Sequence, residues 1–174
     1  MKKRITCLIL ASLLVGGVTC EAKIEKHKDD FSGNSYYTST YSKNGGFLGM
    51  ESSKKVTFVT GDGVFNINLF SSVEKDRGNL IVTDKAELKI DDVIYEIPLV
   101  DYSWENGLVD NFGFISAQYY LPDEVIAKIK ETSKISVRGK WRTDSGLSSD
   151  ITIKNIPEKI VKEWVKLIQN KEGI

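Results

Sequence analysis

The chain has 174 residues, with 24 basic and 24 acidic side chains and a formal net charge of zero. A chain of this length can bury a hydrophobic core as one domain. Binding of a nucleic acid through its phosphates needs a strong basic excess, whereas charges of both signs alternate along this chain. The composition therefore argues against a nucleic-acid partner.

The first 22 residues have the layout of a secretory signal. Lys2, Lys3 and Arg4 precede an uncharged stretch from Ile5 to Cys20, which matches the basic and apolar regions of an export signal. The stretch is shorter than the run of about 18 apolar residues that a membrane-spanning helix needs. We therefore expect an exported protein whose leader, residues 1–22, is removed. Its loss leaves a formal charge of about −2, as expected when a basic signal region is cleaved.

Two cleavage positions fit the end of this leader. Cleavage before Cys20 would lipidate its thiol and anchor the protein to a membrane, and the segment from Leu14 to Cys20 resembles a bacterial lipoprotein signal. Ordinary cleavage after Ala22 would release the protein, with Cys20 and Ala22 as the small residues at alternate positions. The two alternatives place the protein on a membrane of a bacterial envelope or free in the periplasm.

Cysteine and histidine are scarce in this chain. Cys7 and Cys20 are its only cysteines, and His27 is its only histidine. Zinc, copper and iron sites need imidazole or thiolate ligands, and Ser–His or Cys–His catalysis needs a positioned base. We therefore expect no metal, no cofactor and no disulfide within the mature monomer, and we expect a protein that is not an enzyme.

Residues 31–174 are predicted to form a single β-rich domain, preceded by a polar tether at residues 23–30. The segments of the domain are short, alternate in polarity and are rich in Val, Ile, Thr, Tyr and Phe. This pattern favours an antiparallel sandwich or barrel, and Gly61-Asp62-Gly63 and Asp91-Asp92 have the chemistry of hairpin turns. Strands are predicted at residues 35–42, 55–60, 64–70, 79–83, 86–90, 93–99, 112–120, 135–141 and 149–154.

Two segments have a helical spacing instead. Residues 122–132 place Val125, Ile126 and Ile129 on one face, and residues 157–170 carry a longer apolar stripe that includes Trp164. The predicted fold is therefore mainly β: an antiparallel β-sandwich or barrel-like sheet with a short helix and a C-terminal amphipathic helix packed on it.

The order of these segments supports one comparison. An exported leader, a polar tether, a first strand rich in Tyr, Ser and Thr, a meander, a short helix leading into residues 135–142 and a final amphipathic helix together resemble small uncharacterised bacterial envelope proteins. The resemblance rests on this layout and on no diagnostic motif. It implies a β-rich fold and an envelope location, and it assigns a function to no residue.

Two groups of residues are candidates for binding a partner. Strand alternation places Arg138, Lys140 and Arg142 on one face, a row of cations suited to an acidic protein or an anionic glycan. The competing interpretation is a solvated strand face whose cations pair with neighbouring carboxylates. Tyr37 and Tyr41 also share a face and are typical of surfaces that bind sugars or peptides, unless they pack in the core.

One carboxylate pair is a candidate for catalysis. Asp101 and Glu105 flank Trp104 in a segment that we predict to be an exposed loop. Glycoside hydrolysis requires two carboxylates roughly 5 to 9.5 Å apart in a cleft. A solvated loop with no catalytic role is the interpretation that the sequence favours.

The function that fits these observations is a non-enzymatic binding module of the cell envelope with a protein or glycan partner. An alternative is a carrier of a small ligand or lipid, with a pocket between the sheet and the C-terminal helix. A carboxylate-based hydrolase ranks last, because the mature chain has so little histidine and cysteine. Contact with a membrane is expected only through a lipid anchor on Cys20.

Overall fold

The computed structural model describes residues 24–28, 35–44, 53–61, 63–74, 80–106, 112–143, 146 and 148–172. Within these ranges it contains ten strands and two helices. The strands are β1 (Ile24–Lys28), β2 (Ser35–Asn44), β3 (Ser53–Gly61), β4 (Val64–Glu74), β5 (Leu80–Val82), β6 (Lys85–Ile90), β7 (Val93–Asn106), β8 (Phe112–Tyr120), β9 (Ile135–Thr143) and β10 (Ser148–Ile156). The helices are α1 (Asp123–Glu131) and α2 (Glu158–Glu172).

All ten strands join one antiparallel sheet, which does not close into a barrel. The strand order is β1-β2-β3-β4-β8-β7-β6-β9-β10, and β5 pairs with β9 on the same side as β6. Neighbours in sequence are mostly neighbours in the sheet, as expected for a meander. The predicted mainly β antiparallel fold is confirmed, in its open form.

Strand β7 connects two halves of this sheet. Its first part pairs with β6 and its second part pairs with β8, with a shift of register between Leu99 and Asp101. Such an irregularity bends a strand and increases its twist. We call β1–β4, β8 and the second part of β7 the first half-sheet, and β5, β6, β9, β10 and the first part of β7 the second half-sheet.

The two half-sheets pack against each other through their inner faces. A Cβ atom on Gly139 of β9 would lie 2.9 Å from Leu69 Cδ1 of β4 and 3.2 Å from the Tyr119 hydroxyl of β8. Gly139 therefore permits a close approach between strands that are far apart in the sheet order. This contact gives the bent sheet a sandwich-like layout.

The core lies between these inner faces and the C-terminal helix. Buried residues alternate along the central strands, as in Val56 and Phe58 of β3, because successive strand side chains point to opposite faces. Helix α2 packs on β2, β3 and α1, and the Trp164 ring stacks on Phe58 with centroids 5.3 Å apart. The predicted packing of an amphipathic C-terminal helix on the sheet is confirmed.

The strand β7 is longer than the sequence pattern predicts. It runs to Asn106 and takes in Asp101, Trp104 and Glu105. The expectation of a loop there is wrong, although Asp101 and Glu105 are exposed as expected. Trp104 is half-buried against the core, and its ring covers Gly113 of β8. The register shift near Asp101 interrupts the alternation, which is why the pattern stops short at Leu99.

The strand β1 lies in the segment predicted to be a polar tether. Ile24–Lys28 pairs with β2 along its whole length, and the His27 ring stacks on Tyr36 with centroids 4.8 Å apart. His27 Nε2 also forms a 3.0 Å hydrogen bond with Thr38 Oγ1. The sequence gives little sign of this strand because charged, exposed residues are typical of edge strands.

Candidate functional site

The outer surface of the second half-sheet carries charged side chains at most of its positions. Cross-strand partners share a face, and Arg138 of β9 is opposite Glu87 of β6 and Thr152 of β10. We call this surface the β9 face. Its charged members in the described chain are the cations Lys85, Lys89, Arg138, Lys140, Arg142 and Lys154 and the carboxylates Glu87, Glu96 and Asp150.

Glu87 holds two of these cations in place. Its Oε2 atom accepts a hydrogen bond from Arg138 Nε at 2.9 Å, and its Oε1 atom accepts one from Lys140 Nζ at 2.8 Å. Arg138 Nη2 also contacts Oε2. The hydrogen bonds from Lys140 and Arg138 hold the pKa of Glu87 below its ordinary value. The competing interpretation, in which the cations pair with neighbouring carboxylates, therefore applies to Arg138 and Lys140. Both cations share the single carboxylate of Glu87.

The other cations of the β9 face differ in their pairing. Lys85 forms an ion pair with Glu96, and Lys89 Nζ lies 3.0 Å from Asp92 Oδ1 in the turn after β6. Arg142 and Lys154 form no ion pair with the part of the chain that the structure describes. These two cations are exposed, so they retain charge that a partner can neutralise.

A groove of about 410 Å³ runs across this face between β6, β9 and β10. Lys89, Ser136, Arg138, Thr152 and Lys154 line it. On β10 the pairing register shifts between Ile153 and Ile156, and Asn155 has a positive φ of 54°. The Asn155 backbone N–H donates a 2.9 Å hydrogen bond to Ser136 Oγ. We call this hollow the β9 groove.

The turn end of the β9 groove has a balanced charge. An adjoining hollow of about 190 Å³ is lined by Lys89, Lys134, Asp91 and Asp92. Thr132 Oγ1 donates a 2.8 Å hydrogen bond to Asp91 Oδ1, and Asp91 has the positive φ of a turn residue. The excess of positive charge therefore lies within the groove and along β9, away from the turn.

The outer surface of the first half-sheet is largely neutral. Its central rows hold hydroxyl and amide side chains such as Thr57, Asn68 and Gln118, which lie next to one another across β3, β4 and β8. Phe70 and Phe114 stack there with ring centroids 5.6 Å apart. The cationic character of the β9 face is thus not a general property of this molecule's surface.

The aromatic pair predicted on β2 does not form an exposed surface. Tyr41 is 6% exposed and belongs to the core. Tyr37 is half-buried against the same core, with Lys26 Nζ 5.7 Å from its ring centroid. The alternative of core packing therefore applies to Tyr41, and a partner has access only to the outer part of Tyr37.

The candidate carboxylates for hydrolysis lie four residues apart on one strand. Asp101 and Glu105 both lie on β7, and four residues of a strand span about 13 Å. This backbone separation is longer than the roughly 5 to 9.5 Å between the carboxyl groups of glycosidases. Asp101 Oδ1 instead accepts a 2.8 Å hydrogen bond from the Tyr102 backbone N–H.

The predicted lipidation site Cys20 and both predicted cleavage positions lie outside the described residues. In the described ranges, no group of three or more His, Cys, Asp or Glu residues is arranged to hold a metal ion. Neither described helix is long and apolar enough to cross a membrane.

The comparison with protein-family models, curated proteins and solved structures found no match to this chain. Sequence alternation identified Arg138, Lys140 and Arg142 on the β9 face, but it missed Glu87, Lys89 and Lys154. Glu87, Lys89 and Lys154 lie on predicted strands. The sequence does not show that β6 and β10 flank β9, which is what brings these residues to the same face.

Proposed function

We propose that this protein is an exported cell-envelope binding module that binds an anionic protein or glycan through the β9 face and catalyses no reaction. The observation that carries the proposal is the excess of cations on that face, six against three carboxylates in the described chain. The whole chain has no net charge, so this excess is local. A patch of one sign attracts partners of the opposite sign and speeds their association.

The arrangement around Glu87 supports the same proposal. Arg138 and Lys140 are both held by this carboxylate, so part of the conformational entropy of two long side chains is lost before a partner arrives. Binding surfaces that are ordered in advance lose less free energy on association. A single carboxylate between two cations also leaves positive charge for the partner.

A charge-removal experiment tests the proposal. In the variant R138Q/K140Q/R142Q, the immobilised protein should bind less uronate, phosphate or acidic protein from a solubilised bacterial envelope fraction. The reduction should be largest at low salt, because salt screens exposed charges. The matched control is K159Q/K162Q/K166Q, which removes three exposed cations from α2. Equal binding by the two variants at low salt would contradict the proposal.

One observation favours the alternative of a small-ligand or lipid carrier. Thr60 Oγ1 of β3 and Trp164 Nε1 of α2 are buried and have no hydrogen-bond partner among the described residues. Buried polar groups are usually paired, and these two lie on elements that pack together. Native mass spectrometry of the purified protein tests this alternative, which predicts an added mass that organic solvent removes.

A further inference from the structure

We propose that the β9 groove binds the acidic sugar units of an anionic polysaccharide. The inference rests on the proposed function and names the class of partner. Lys89, Arg138 and Lys154 reach the groove from three adjacent strands, and Glu87 is the only carboxylate in its lining. Both Glu87 oxygens already accept hydrogen bonds from Arg138 or Lys140. Asp92 pairs with Lys89 at the turn end, and with that carboxylate counted the three cations still leave the groove a net positive charge.

The hydroxyl groups of the groove complement a sugar that carries an acid. Ser136 Oγ accepts the Asn155 backbone N–H, so its own hydrogen is available to a ligand. Thr152 Oγ1 donates to Asp150 Oδ2 at 2.7 Å, so its oxygen is left as an acceptor. A hydroxyl group both donates and accepts, and the groove thus presents a donor for a carboxylate and an acceptor for a sugar hydroxyl.

An apolar side chain lines the groove on the side of β7. Ile94 lies there and is 57% exposed, so its aliphatic surface is accessible to a ligand. Small-ligand sites combine an apolar wall with a few placed polar groups. The C–H face of a sugar ring fits such a wall, whereas a simple inorganic anion gains nothing from it.

A polymer fits better than a single sugar because the cations continue beyond the groove. Lys140 and Arg142 follow Arg138 along the same face of β9, at intervals of about 7 Å because alternate strand residues share a face. An extended chain that leaves the groove along β9 would meet one cation after another. Arg142, which has no ion pair among the described residues, would lie furthest along this path.

An acidic protein fits the same face less well. Protein interfaces usually centre on buried aromatic or large apolar anchors. The groove is lined by no aromatic residue. The exposed aromatic side chains of the described residues all belong to the first half-sheet: Tyr36, Tyr102, Phe114 and Tyr120. The β9 face therefore offers charge and hydroxyl groups, but no pocket for an aromatic anchor.

Calorimetry with defined probes tests the inference. The purified protein should bind hexagalacturonate, and it should bind maltohexaose and inorganic phosphate at least about tenfold more weakly, because each charge-assisted hydrogen bond and the ring contact add to affinity. The variant K89Q/K154Q should lose at least about tenfold in affinity for hexagalacturonate. The control K159Q/K166Q, with the same change of charge on α2, should stay within about twofold.

A second variant separates a sugar from a simple anion. Ile94 is exposed, so I94S should leave the fold intact, as circular dichroism can verify, and should weaken hexagalacturonate binding severalfold. It should leave the binding of a hexaglutamate peptide unchanged. Affinity for hexagalacturonate that K89Q/K154Q does not reduce would overturn the inference. Hexaglutamate binding as tight as that of hexagalacturonate would overturn it too, in favour of an acidic protein.

Failure of this inference is distinguishable from failure of the proposed function. If no saccharide binds but R138Q/K140Q/R142Q still reduces binding from the envelope fraction, only the class of partner is wrong. If that variant and its control bind equally, the β9 face has no binding role, and the proposed function fails with the inference.

Discussion

Glu87 is the residue around which the charges of the β9 face are organised. Its pKa is lowered by Lys140 and Arg138, so the ionised form is favoured in the folded protein. The resulting stabilisation is present above the ordinary pKa of 4.5 and is lost as the pH falls through the lower folded value. Stability at acidic pH should therefore report on this cluster.

The change Glu87→Gln tests that expectation. At pH 7 it should lower the free energy of unfolding by about 0.2 to 1 kcal/mol, because the partners are partly exposed to solvent. The difference from the unmodified protein should shrink as the pH falls from the ordinary value of 4.5 through the lower pKa of the folded protein, because Glu87 is then protonated. Urea unfolding followed across pH measures it. A difference that stays constant down to pH 2 would show that the ion pairs do not stabilise the fold.

Tyr119 provides the corresponding test at alkaline pH. Burial raises the pKa of this tyrosine to about 12 from its ordinary value of 10.0. The unfolded chain ionises first, so stability is retained below pH 10 and is lost as the pH rises toward 12. The loss should reach about 2 to 3 kcal/mol. Tyr119→Phe should lack this part of the alkaline loss, and identical pH profiles for the two proteins would contradict it.

For single residues, the sequence predicts which face of a strand a side chain lies on, but it does not predict which residues of other strands lie beside it. The alternation that placed Arg138, Lys140 and Arg142 on one face needs only the period of a strand. Their partner Glu87 is 51 residues before Arg138, and nothing local indicates that β6 lies beside β9. Tyr41 was ambiguous for a different reason, since its strand has polar and aromatic residues on both faces.

At the scale of elements, helix α2 has the most direct test. Trp164 is fully buried and stacks on Phe58, so Trp164→Ala should cost roughly 3 to 5 kcal/mol of stability. Trp164→Phe should cost less, because it keeps an aromatic ring there and removes the unpaired Nε1 group. Denaturant unfolding measures both changes. A loss below about 1 kcal/mol for the alanine variant would show that α2 does not hold the core.

The positions of the elements were largely predictable, and the exceptions have physical causes. Strand β8 has the predicted bounds, Phe112–Tyr120, because buried Ile115, Ala117 and Tyr119 alternate with the polar residues Ser116 and Gln118 along it. Strand β1 was missed because its pairing depends on the backbone and on His27, and its exposed side chains carry no alternation. The predicted strand at residues 93–99 is shorter than β7, because the shift of register near Asp101 interrupts the alternation of polar and apolar residues.

At the scale of the whole molecule, the processing of the leader is the first expectation to test. Intact mass of the protein from its native source should show either an N-terminus at Lys23 or a lipidated Cys20, because an export signal is cleaved at its end. Treatment with a lipoprotein signal peptidase inhibitor separates the two, since only the lipidated form depends on that enzyme. A chain that retains Met1 in the envelope fraction would contradict both alternatives.

The sheet order was beyond what the sequence could provide. Turn chemistry correctly joined β6 to β7 through Asp91 and Asp92, which form a turn. The pairings of β4 with β8 and of β6 with β9 join strands that are distant in sequence. They are determined by how the two halves fold over a common core, which depends on contacts such as that of Gly139 with Leu69.

The β9 face carries six cations against three carboxylates on a chain whose formal net charge is zero, so compensating negative charge lies elsewhere and the molecule has a dipole. A dipolar particle turns in an electric field before it is drawn along it, so the protein should approach an anionic layer with the β9 face leading. It should also be retained on a cation-exchange resin at neutral pH, against the expectation from net charge alone. The protein would thus be oriented before it binds, and its β9 face would already point toward an anionic surface at the first encounter.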